Sequence, residues 1–126
     1  MYAIYVNQTR YVPYADAIVY GLKTIETRSR NVFDRLVGKK VMVVRTMKGK
    51  PSEVVGYVRI SGAEFWTAAE MDERRDETMI PPGSKFDCHG RGKWCYSLTE
   101  AQSIKPFKLP KHGVINHGRS YCEILI

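Results

Sequence analysis

The sequence predicts an α+β fold: a small mixed, mainly antiparallel β-barrel of about six strands, with two helices in the connections. Three observations carry this. At 126 residues the chain has the size of one domain, so residues 1–126 are read as a single unit. Short runs rich in β-branched and aromatic residues recur between glycine and proline signals. Only two segments have helical spacing, and they do not alternate with strands as a βαβ series would. A chain 44% hydrophobic and 26% charged is ordinary for a globular domain and is not disordered throughout.

The elements follow in order. Ala3-Ile4-Tyr5-Val6 reads as a short buried strand. Pro13 suits the first turn of a helix, Ala15, Ile18 and Val19 recur at helical spacing, and Gly21 ends it. Thr24 to Arg28 alternates as a strand, with Thr24, Glu26 and Arg28 on one face. Residues 32–37 are expected to form a helical turn with Phe33, Leu36 and Val37 inward. Val41 to Val44 reads as a central strand, broken at Met47 to Pro51, with a return strand over Val54 to Ile60. Phe65 to Glu77 is the second helix, with Phe65, Ala68, Ala69 and Met71 as its apolar side. Ile80 to Ser84 and Gly90 to Lys93 are loops. Trp94 to Leu98 is a strand, Ile104 to Leu109 an extended segment set by its prolines, and Tyr121 to Ile126 a terminal strand.

Charge is unevenly placed. Twenty Lys and Arg face thirteen Asp and Glu, a net +7. Residues 23–50 and 85–119 are strongly basic, and residues 64–77 between them are acidic. If the two basic segments meet in the fold, they make a positive face suited to a phosphate-bearing partner; otherwise they are a solvated surface. No apolar run approaches the ~20 residues needed to span a bilayer, and no secretion signal opens the chain. A cytoplasmic, monomeric protein with reduced cysteines is expected.

The most informative segment runs from Pro13 through Gly21-Leu22-Lys23-Thr24-Ile25-Glu26-Thr27-Arg28. A helix ends at a glycine and a Lys-Thr-x-Glu-x-Arg strand leaves it at once. This resembles the ASCH domain family of the PUA-like superfamily, whose signature is a helix followed by Gly-x-Lys-Thr-(Ile or Val)-Glu-x-Arg. Gly38-Lys39-Lys40-Val41, Val55-Gly56-Tyr57-Val58 and the late Trp94 to Leu98 strand also fit. The resemblance implies a compact barrel with a cleft between the first helix and the sheet. It implies binding of RNA or of a modified nucleobase or nucleoside there, with Lys23, Thr24, Glu26 and Arg28 as cleft residues.

One branch of the family hydrolyses the acetyl amide of N4-acetylcytidine. Where this chain has Glu26, that branch resembles a threonine serving as nucleophile. A carboxylate is a poor nucleophile for an amide but can act as a base for water. The alternative function is therefore a small amidohydrolase acting on N4-acylated cytidine, or a ribonuclease, with Lys23 as base and Thr24 or Glu26 assisting. Glu77 is matched to the helical carboxylate of that branch, with Glu73 and Asp76 as alternatives.

The residue chemistry points to the same segment independently. Alternate strand positions repeat at ~7 Å, so a hydroxyl, a carboxylate and a guanidinium converge on one face. A guanidinium holds phosphate or carboxylate bidentately, a carboxylate accepts the exocyclic amine of cytosine, and a lysine in a desolvated cleft becomes a base. A plain surface ion-pair ladder is the competing reading. Arg30 joins the ligand-binding set. Trp94 and Tyr96, next to Arg91 and Lys93, are the aromatics expected in a ligand pocket. Lys48, Lys50, Arg91 and Lys93 are the expected phosphate contacts, with Gly118-Arg119-Ser120 able to act similarly. Cys88, His89, Cys95, His112, His117 and Cys122 lack the spacing of a zinc site, so neither metal nor cofactor is expected.

Overall fold

Seven strands join into one sheet in the computed structural model, which describes residues 1–125. They are β1 (Tyr2–Asn7), β2 (Ile25–Arg28), β3 (Lys40–Met47), β4 (Lys50–Trp66), β5 (Lys93–Lys108), β6 (Val114–His117) and β7 (Tyr121–Ile124). Their order across the sheet is β2-β5-β4-β3-β1-β7-β6. The β1–β3 pair is parallel and the others are antiparallel. Three short helices complete the chain: α1 (Tyr14–Val19), α2 (Ala68–Glu73) and α3 (Arg75–Thr78), with a 3-10 turn at Asp34–Leu36. No helix among the described residues is long and apolar enough to cross a membrane.

Strand alternation sorts the core into two layers. Ile4 and Val6 of β1 join Val41 and Val43 of β3 in the main cluster, which α1 covers with Ala15, Ile18 and Val19. Ala3, Met42, Val44, Val54, Cys122 and Ile124 form a smaller cluster on the opposite face. The covering helix sits close. A Cβ placed on Gly56 of β4 would fall 2.1 Å from the Gln102 carbonyl oxygen and 2.7 Å from Val19 Cγ1, so only glycine admits α1 at this distance.

Several expectations need correction. The sheet has seven strands rather than six, and its backbone ladder is not closed: β2 and β6 are its two edges. The unexpected strand is β6, whose residues are mostly exposed and do not alternate. Trp94 to Leu98 and Ile104 to Leu109 were expected as separate pieces, but β5 is one strand of 16 residues. Pro106 is tolerated because β2 pairs only with Trp94 to Ser97, leaving the far half of β5 a sheet edge. Three register shifts between β4 and β5 let the long strands bend.

The expected Phe65 to Glu77 helix is also shorter and broken. Phe65 and Trp66 end β4, and Thr67 then caps α2 reciprocally with Glu70. The helix breaks at Arg74, whose guanidinium lies 4.0 Å from the centre of the Trp66 ring. Phe65, expected to face inward, is 52% exposed. Phe33 and Leu36 are buried as expected, but Val37 is exposed. Ile126, the end of the expected terminal strand, lies outside the described residues.

Candidate functional site

The helix-to-strand junction after α1 lines a cavity of ≈ 280 Å³. Gly21, with φ of 76°, reverses the chain at the helix end, and Leu22 and Lys23 donate their amides back to the Ala17 carbonyl. That turn points Lys23 inward, where it is 1% exposed. Its Nζ donates to the Thr78 carbonyl at the end of α3 and lies 3.7 Å from Glu26 Oε1. The Tyr14 ring, at the start of α1, stands 5.2 Å from the same ammonium.

Among the described residues, Glu26 is the only acid on the cavity wall. Its Oε1 accepts from the Thr27 amide at 3.0 Å and its Oε2 from Arg28 Nη2 at 3.1 Å. Arg28 also donates to the Tyr5 carbonyl at 2.5 Å and lies 4.8 Å over the Phe33 ring. Lys93, at the start of β5, donates from Nζ to the Phe86 carbonyl at 2.7 Å. Arg119, in the β6–β7 turn, is exposed at the rim. Tyr5, Tyr14 and Phe86 supply aromatic wall.

Burial pushes the Glu26 carboxyl up, but Arg28 and Lys23 outweigh it and hold the group below its ordinary value, so it is ionised at neutral pH. Burial drives the Lys23 ammonium down, and Glu26 restores only part of the loss. Lys93 is lowered by burial in the same way, with Glu26 again opposing. The cavity therefore combines a fixed carboxylate with two amines that lose their protons more readily than a solvated lysine.

The structure brings Lys23, Glu26, Arg28 and Lys93 together and sends the other expected residues elsewhere. Thr24 is exposed and off the cavity; its amide donates to the Glu77 carbonyl. The aliphatic hydroxyl residues on the wall are instead Thr27, Ser29 and Thr46. The Glu77 carboxylate is occupied by Arg74 and does not line the cavity. Tyr96 is fully buried core: its hydroxyl donates to Asn31 Oδ1 at 2.9 Å and its ring packs edge-on to Phe33. Trp94 is half-buried against Phe65 and off the cavity. Arg30, Lys48, Lys50 and Arg91 are exposed outside it, whereas Lys93, expected as a surface phosphate contact, is a buried amine. Tyr5, Phe86 and the Thr78 carbonyl were missed, because no local pattern says which loop closes over a strand. Cys95 is inert, its thiol pushed up to about 12 by burial.

The fold has counterparts among known structures. Crystal structures of ASCH from Zymomonas mobilis match the chain with TM-scores of 0.63 for the unsubstituted protein and 0.72 and 0.67 for two variants. The chain has an ASCH-like fold. The unsubstituted protein is 18% identical, over 85% of this chain and 73% of that one. The first variant is 17% identical over 94% and 85%, and the second 20% identical over 85% and 76%. No family model matches this chain, and no curated protein does. At these identities the likeness establishes the ASCH-like fold alone, and the chemistry rests on this chain's own residues.

Proposed function

We propose that the cavity binds one base of RNA, or a nucleoside, through an exocyclic amine. The observation that carries this is the ionised Glu26 on the wall of a ≈ 280 Å³ cavity framed by aromatic rings and cations. That volume is just below the ~300–1,000 Å³ of typical small-ligand sites, which suits a base or nucleoside rather than a folded polymer. A carboxylate offers about four lone-pair directions. Thr27 and Arg28 take two, leaving acceptor capacity for an amine such as cytosine N4. Tyr14 and Phe86 would pack against the heterocycle and Arg119 at the rim would hold a phosphate. Exposed Arg30, Lys48, Lys50 and Arg91 would act as longer-range attraction.

Calorimetric titration tests this. Cytidine should bind better than uridine, Glu26→Gln should remove the preference, and Arg119→Ala should weaken cytidine 5′-monophosphate more than cytidine. Absence of saturable binding by either cytidine compound, or a preference untouched by Glu26→Gln, overturns the reading.

One observation favours a second reading, hydrolysis of an N4-acylated cytidine: the Lys23 amine is buried beside Glu26, where it gives up its proton more readily than a solvated lysine. With Thr24 and Glu77 off the cavity, Lys23 would take a proton from water as the oxygen attacks the acyl carbon, and the N4 amine would leave with a proton returned to it. Loss of the acetyl absorbance of N4-acetylcytidine with wild type and not with Lys23→Met would support it; no turnover leaves binding as the function.

A further inference from the structure

Beside the cavity lies a second, open cleft lined by Phe65, Lys85, Asp87, His89, Arg91 and Gly92 among others. The two share Ser29, Phe86 and Lys93 among their lining residues, so they are adjacent. The Lys93 ammonium, bonded to the Phe86 carbonyl, fixes that wall from behind.

The cleft has two features that match a single strand of RNA. Its aromatic floor is Phe65, 52% exposed despite its size. The ring lies edge-on to Trp94 with centroids 5.8 Å apart, and directly on the backbone at Gly92, where a Cβ would stand 2.4 Å from Phe65 Cζ. The ring is thus held in place by its neighbours while much of it stays open to solvent. Its free charge is positive. The one acid among the described residues lining it, Asp87, is bonded to Arg75 at 2.8 Å and to the Gly83 and Cys88 amides. Lys85 and Arg91 take part in no ion pair among the described residues. Single-stranded nucleic acid is held by this combination, bases stacked on rings beside cations that meet phosphates.

We infer that the cleft is a flanking-nucleotide subsite: the neighbour of the base in the cavity stacks on Phe65, and its phosphate is held by Lys85 and Arg91. The inference rests on the cavity reading and extends it, since it makes the ligand a strand rather than a free nucleoside.

The test compares cytidine 5′-monophosphate with single-stranded hexacytidylate by fluorescence anisotropy and competition. Hexacytidylate should bind wild type more tightly than the mononucleotide. Phe65→Ala should weaken hexacytidylate about fivefold or more, as loss of one stacked base does, and leave the mononucleotide unchanged. Arg91→Ala should lower hexacytidylate affinity and flatten its salt dependence. Unchanged mononucleotide binding shows that Phe65→Ala is folded, and an unchanged thermal unfolding midpoint shows it for Arg91→Ala. Equal affinity of the two probes for wild type, or hexacytidylate binding indifferent to Phe65→Ala, overturns the subsite and leaves the cavity reading standing. Hexacytidylate binding that needs Phe65 without mononucleotide binding overturns the cavity reading, and with it the assignment of Phe65 as the flank of a base held there. Binding of neither overturns both.

Discussion

The Arg28 guanidinium, on edge strand β2, donates to the Tyr5 carbonyl on β1 at 2.5 Å. In the sheet β1 lies four places from β2. The sheet therefore curls until the two strands approach, and because β7 pairs with β1 only from Tyr2 to Ile4, the Tyr5 carbonyl is left for Arg28. A side chain spans the gap instead of a ladder, and the open space around it is the cavity.

Glu26 links Arg28 to Lys23, so Glu26→Gln leaves the buried Lys23 and the half-buried Arg28 without their counter-charge. At neutral pH the variant should be destabilised by about 3 kcal/mol in urea unfolding. The Glu26 carboxyl is held below its ordinary 4.5, so its contribution is complete above that pH and fades as pH falls through the lower folded value. The gap between wild type and Glu26→Gln should close in acid; a gap constant to pH 2 would refute the pairing.

Lys23 gives a slope of the same sign in a window that ends at a higher pH. Its folded pKa is lowered, so between that value and the ordinary 10.5 the unfolded chain binds more protons and stability rises with pH. Subtracting the Lys23→Met profile from wild type should reveal this rise in the window that ends at 10.5. Parallel profiles would show that Lys23 is not desolvated.

Gly56→Ala should cost about 1–3 kcal/mol or prevent folding, since the new methyl meets the Gln102 carbonyl and Val19. Thermal unfolding reads the loss. Trimming Val19 to alanine in the same chain should recover little, because the backbone contact remains. Full recovery would place the conflict at the helix alone.

Arg75 joins the acidic helical region to the loop before β5 through Asp87 and the Ile80 carbonyl. The Arg75 hydrogen bond holds the Asp87 carboxyl far below its ordinary value against a smaller push upward from burial. Arg75→Ala should free residues 81–92 and speed their cleavage in limited proteolysis. Arg75→Lys should give an intermediate rate. Unchanged cleavage would mean that Asp87 is held by the backbone amides.

Local chemistry made α1, β3 and the Lys23 to Arg28 segment readable. Helical spacing, a glycine stop and strand alternation act over a few residues. The same local logic failed at β4 and β5, where Gly62 and Pro106 look like breaks but sit at a register shift and on a free edge. It failed again at Thr24, since the chain enters β2 only at Ile25 and the preceding hydroxyl turns outward.

The amino-acid order by itself determined which charged side chains leave α1 together and that strands would dominate the fold. Only tertiary structure decided that Lys23 meets the Thr78 carbonyl 55 residues away, that Lys93 is buried beside it, and that Tyr96 belongs to the core. The physical reason is that burial and its shifts in proton affinity depend on which distant segments exclude water from a side chain, and that partnership is set by sheet curvature and loop closure rather than by neighbours in sequence.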